Sequence, residues 1–149
     1  MTLDPTAAVA NVKLSIKKAF ITYFEEGNGI PVLFDMSEHF PDTTDKSLTE
    51  WVSVAFGSHR KATLSSLMFM VFPCTRNDPE SVRLQQIADM VRDLIANPAV
   101  LYGSNWTDIG RISFFERAAA EGAFESLNVL KDFTKIEPLL IEGKWGARG

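Results

Sequence analysis

The stretch Leu48–Ile95, LTEWVSVAFGSHRKATLSSLMFMVFPCTRNDPESVRLQQIADMVRDLI, decides the fold. It predicts a strand over Leu48–Gly57, a turn over Ser58–Lys61 and a longer strand over Leu64–Thr75. Asn77–Pro79 breaks the second strand, and Glu80–Ala96 reads as a helix. In that helix Leu84, Ile87, Ala88, Val91, Leu94 and Ile95 recur at the i, i+3, i+4, i+7 spacing of one face. Arg83, Gln86, Asp89, Arg92 and Asp93 fall elsewhere on the wheel. Asp78 can cap the free N–H groups, and Pro79 suits a first turn. Asn97-Pro98 ends the helix, because the residue before a proline avoids helical angles.

A helix wet on one side and dry on the other must lie on something flat and apolar. In the first strand Val52, Val54 and Phe56 share a face, with Ser53 and Ala55 opposite. In the second, Leu67, Phe69 and Val71 share one face and Met68, Met70 and Phe72 the other. A strand apolar on both faces must be covered on both faces. The helices can cover one, taken as the Leu67, Phe69, Val71 face. The methionine face then needs the rest of the chain or another subunit, since methionines adapt to irregular contacts.

The totals bound the rest. At 149 residues, with 46% hydrophobic and 23% charged residues, the chain reads as one domain able to bury a core without staples. A formal charge of −4 argues against gripping nucleic acid through its phosphates, though not against DNA passing nearby. The single cysteine, Cys74, excludes an internal disulfide and fits a reducing compartment. No apolar run reaches the roughly 20 residues of a membrane span. Met1–Thr6 has no basic region of the kind that opens a signal peptide.

Before the hairpin, Asp4-Pro5 opens a helix to about Glu26, with Val9, Val12, Ile16, Ala19, Phe20 and Tyr23 as its apolar stripe. Gly27-Asn28-Gly29 stops it through tolerance of positive φ. Glu25 and Glu26 sit at the unfavourable end of its dipole. Ile30–Phe34 is a short strand, placed at a sheet edge by Pro31. Asp35–Ser47 is a polar loop of about a dozen residues, long enough to predict a role in contact. After the second helix, Val100–Trp106 is turn-rich. Thr107–Glu116 and Phe124–Phe133 alternate as a second hairpin, with helix an alternative over Arg117–Ala123. Gly143–Gly149 reads as a flexible tail. The fold class is α+β, a mostly antiparallel sheet with helices packed on one face.

Candidate chemistry is thin. Ser58 and His59 are neighbours in a turn, which lacks the scaffold and orienting acid of a nucleophile–base pair; a solvated turn is the better reading. Asp35, His39, Asp42 and Asp45 could supply metal ligands, but their spacing matches no metal site, and a polar loop is the better reading. Cys74, at the end of an apolar strand, reads as a small buried hydrophobe. Gly27 and Gly29 precede a strand, the wrong context for a dinucleotide fingerprint. Lys13, Lys17 and Lys18 read as a solvated helix face rather than a nucleic-acid patch. The expectation is no catalysis, metal or cofactor, and a partner on the second apolar sheet face.

The order of these elements carries a resemblance. An amphipathic helix leads to the strand Ile30–Asp35 and a polar loop, then to a strand pair ending in Pro73-Cys74-Thr75-Arg76. Leu84-x-x-Ile87-Ala88-Asp89-x-Val91 follows on a helix capped by Asp78. Over roughly Val9–Phe115 this resembles the tail terminator (tail completion) proteins of long-tailed bacteriophages. The resemblance implies an α+β subunit of a hexameric ring in the neck of the virion, made in the host cytoplasm. Such a ring caps the tail tube, stops its polymerisation, and offers the surface that the head connector or head-closure protein joins. DNA passes through without specific binding. Met68, Met70 and Phe72 are then candidates for the subunit contact, and Asp42, Asp45 and Lys46 for contacts in the neck. Other readings are a head-closure component, a small homo-oligomeric ligand-binding α+β module, and an enzyme using the Asp35–Asp45 loop.

Overall fold

The computed structural model describes residues 8–34, 47–60, 64–117 and 134–146. Its centre is the predicted strand pair. β2 (Glu50–Arg60) and β3 (Leu64–Thr75) are antiparallel, with Val54 opposite Val71 and Phe56 opposite Phe69. The register shifts between Phe56 and His59, and β2 runs on to Arg60. The turn predicted from Ser58 therefore starts too early. Ser58, His59 and Arg60 belong to an exposed strand end, and composition alone does not separate that from a turn. Gly57 stands at this irregularity, where a Cβ would lie 3.2 Å from the Met68 carbonyl oxygen.

The sheet order is β1-β2-β3-β7-β5-β4, with β6 paired to the end of β3. β1 (Val32–Phe34) lies parallel to β2 at one edge, the position that Pro31 predicts. β4 (Ala99–Tyr102) forms the other edge, antiparallel to β5 (Asp108–Arg117). β6 (Lys135–Ile136) sets Ile136 opposite Cys74. β7 (Leu139–Gly146) runs between β3 and β5.

One expectation is overturned by the sheet. Gly143–Gly146 are part of β7, in the interior of the sheet, and not of a flexible tail. Gly143 is buried, and a Cβ there would meet Ile112 Cγ2 at 3.2 Å. Its small size lets neighbouring side chains close over the strand. The strand predicted over Thr107–Glu116 exists as β5, whose partners among the described residues are β4 and β7. Residues 118–133, which hold the other half of the predicted hairpin, lie outside the described residues, as do 1–7, 35–46, 61–63 and 147–149. The stretch predicted as turn-rich begins with strand β4 and keeps a short 3₁₀ turn, Ser104–Trp106.

α1 (Ala8–Phe20) continues as a π-helical turn over Ile21–Glu26, and α2 covers Val82–Ile95. Both helices pack on the same face of the sheet, so the α+β architecture is as the sequence predicts. Val12, Ile16, Phe20 and Phe24 of the first segment meet Ile87 and Val91 of α2 over Val54, Phe69, Val71 and Ile141. Asp78 does cap α2: its two carboxylate oxygens accept from the N–H groups of Leu84 at 2.9 Å and Arg83 at 3.4 Å. Pro79 stays in the turn ahead, because Ser81 at φ 60° delays the helix to Val82. Of the glycines after α1, Gly29 carries the positive φ, 66°. Glu25, unfavourably placed for the dipole, accepts the Val32 N–H at 3.1 Å and so covers a donor of edge strand β1.

Candidate assembly surface

The sheet face away from the helices is built by register. Across β2, β3, β7 and β5, Ala55, Met70, Leu140 and Arg117 lie in one row. Met68, Glu142 and Phe115 lie in the next, and Ser66, Lys144 and Ser113 in the one after. The apolar members are half-buried, except Phe115, which is 43% exposed. The face is therefore an apolar centre with charged groups along β7 and β5.

Those charges form one cluster. Glu142 accepts from Arg117 Nε at 3.0 Å and lies 3.8 Å from Lys144 Nζ. The hydrogen bond from Arg117 holds the Glu142 carboxyl below the ordinary carboxylate range, with Lys144 and the Ser66 hydroxyl adding to the effect. The Arg117 guanidinium and Lys144 ammonium lie 5.5 and 5.3 Å from the centre of the Phe115 ring. An exposed aromatic is thus held between two cations that share one carboxylate.

At the other end the chain covers this face itself. Trp51, Cys74 and Ile136 make a small second core, with Phe72, Leu33 and Leu48 against it. Arg76 lies 4.6 Å over the Trp51 ring and donates to the Leu48 carbonyl at 3.0 Å and to Thr134 Oγ1 at 3.2 Å. Among the described residues the outer face is thus divided between a self-covered end and an open apolar end.

The candidates from sequence distribute as follows. Met68, Met70 and Phe72 share the outer face as predicted, with Phe72 at the self-covered end and the methionines at the open one. Asp42, Asp45 and Lys46, with Asp35 and His39, lie outside the described residues. Ser58 and His59 are exposed at the end of β2. Cys74 is fully buried, its thiol 3.3 Å from the Phe72 carbonyl oxygen. Lys13 and Lys17 lie over the rings of Phe56 and Phe34, and Lys18 over Tyr102 and Trp106. Among the described residues no group of three or more His, Cys, Asp or Glu could hold a metal ion, and no helix is long and apolar enough to cross a membrane.

Leu140, Glu142 and Lys144 are part of this surface and were missed as such. The signal was present: Leu139, Ile141, Gly143 and Trp145 alternate with them at period two. In comparison with known proteins, no family model matches this chain and no curated protein matches its sequence.

Proposed function

We propose that this chain is a subunit of a neck ring of the tail terminator type in a long-tailed bacteriophage. On this reading copies associate into a ring, of six by the resemblance. The ring caps the tail tube, ends its growth, and gives the head connector or head-closure protein a surface to join, with DNA passing through unheld. The role is structural, without cofactor, in the neck of the virion.

The observation that supports it is the open end of the outer sheet face. Among the described residues α1 and α2 lie on the other side, and half-buried Met68, Met70 and Leu140 with exposed Phe115 form an apolar centre beside a charged cluster. An apolar centre with a polar rim is the anatomy of a protein–protein contact. A glutamate at its centre would cost little in a free subunit but would be buried unpaired on association.

Met70→Glu tests this. The expected product is a folded monomer with near-normal thermal stability that does not form rings in solution and leaves tails of uncontrolled length. Normal rings from this variant would remove the support that the outer face gives the reading. Particle images separate the terminator from a head-closure component: density for this chain on the tube end supports the first, and density next to the head connector the second.

A further inference from the structure

A cleft of about 400 Å³ opens on the helix side of the sheet, between α1 with its π-helical turn, the end of α2, and β4. This volume is in the range of sites that hold a ligand or an inserted side chain. Its wall is apolar, from Ala19, Leu94, Pro98, Ala99 and Val100. Its rim is polar, from Lys18, Thr22, Asp93 and Asn97, all exposed.

Three features show that the cleft is more than a gap between elements. The π-helical turn carries Thr22 and Tyr23 into it, and such turns are rare and frequent at functional sites. Beside the cleft, next to its lining residue Tyr102, Asn105 and Trp106 both hold positive φ, 55° and 57°, a costly backbone, and the Trp106 ring lies 5.5 Å from that of Tyr102. The Lys18 ammonium sits 4.9 Å from the Trp106 ring centre and 5.3 Å from that of Tyr102. Among the described residues no carboxylate pairs with Lys18. Asp93, at the α2 end, already accepts the Tyr23 hydroxyl at 2.9 Å.

We propose that this cleft docks a short acidic–apolar segment of a partner polypeptide, its apolar side chain on the Leu94–Val100 wall and its carboxylate on Lys18. The position of the charges decides between a polypeptide and a metabolite. A metabolite site buries a few converging polar groups, whereas here the charges stand exposed on the rim of an apolar wall. Tyr102 and the 37%-exposed Trp106 belong to the residue types that anchor protein contacts. The free cation selects an acidic partner. Asp93, at another point of the rim, disfavours a second carboxylate there and gives the bound segment one direction. The inference stands on the cleft alone and does not depend on the ring reading, since Met70 lies on the opposite face.

The test is a titration of the full chain by NMR with two blocked pentapeptides, acetyl-Gly-Glu-Phe-Gly-Gly-amide and the same peptide with lysine for glutamate. The acidic peptide should shift the resonances of Thr22, Leu94, Val100 and the Trp106 indole, and the basic one should not. Lys18→Glu should weaken binding about tenfold or more through charge reversal, and Lys18→Gln by less. Trp106→Ala should also weaken it, and Met70→Glu should leave it unchanged. Four results would each overturn the proposal: no shifts in the cleft at millimolar acidic peptide; equal binding of both peptides; unaltered binding by Lys18→Glu; or free phenylalanine binding as tightly as the peptide.

Discussion

Successive residues of β3 stand in two different surroundings. Leu67, Phe69 and Val71 are buried beneath α1 and α2, while Met68, Met70 and Phe72 are half-covered on the other side. Phe69 shows how closely the inner face is fitted. Its ring meets those of Phe20, Phe56 and Phe114 at 6.2, 6.0 and 5.9 Å between centres, the first and last edge-on. The outer face has flexible methionines beside an ionic cluster. Both faces are equally apolar in the sequence, so hydropathy tells how much must be covered but not what covers it. Among the described residues the inner face is core, and the outer face is half-buried.

The same substitution at two adjacent positions should separate the faces most strongly. Leu67→Lys places a charge in the helix-covered core and should abolish folding, seen as loss of near-ultraviolet circular dichroism. Met68→Lys sits opposite Glu142 and should fold, with stability within about 1 kcal/mol of the parent in urea. If both variants unfold, the outer face is core too and the distinction fails.

The helix layer gives the next largest effect. Ile87 is fully buried on α2, so Ile87→Ala should cost about 2–5 kcal/mol in the free energy of unfolding. A loss within about half a kcal/mol, as surface positions give, would mean that α2 does not cover the inner face.

The sequence made the inner side legible because its signals are local. The period of α2, the Asp78 cap, the alternation of Val52, Val54 and Phe56, and the edge position of Pro31 each depend on nearby residues. The failures have a common cause in the sheet. Gly143–Gly146, the end of β7, reads as tail because its glycines signal flexibility when considered alone. Their room is used by Ile112 from β5 in the case of Gly143, a contact across more than thirty positions of sequence. Ser58–Lys61 reads as a turn because an exposed strand end, here Ser58 to Arg60, has turn composition. One part of the candidate surface was legible, since Met68, Met70 and Phe72 lie on one strand. The other part, Leu140, Glu142, Lys144, Phe115 and Arg117, exists only once β7 is placed between β3 and β5. The cleft on the helix side was not legible at all, because it needs the α1, α2 and β4 contacts together.

The smallest predicted effect concerns the ionic cluster of the outer face. The folded Glu142 carboxyl titrates below its ordinary value of 4.5, mainly through the hydrogen bond from Arg117. A carboxylate with a lowered folded pKa adds stability that is present above the unfolded pKa and is lost as pH falls through the folded one. Arg117 and Lys144 are 45% and 31% exposed, so solvent screens the pair and the contribution should be no more than roughly 1 kcal/mol. Glu142→Gln should therefore lower stability slightly at pH 7, by urea unfolding. The gap should shrink as the pH falls below the ordinary carboxylate range, where the parent protein loses the same interaction. Added salt at pH 7 should shrink it too. A gap unchanged by acid and salt would instead show that Glu142 acts by packing against Met68, and the outer face would then resemble the inner one more closely than the rest of the molecule indicates.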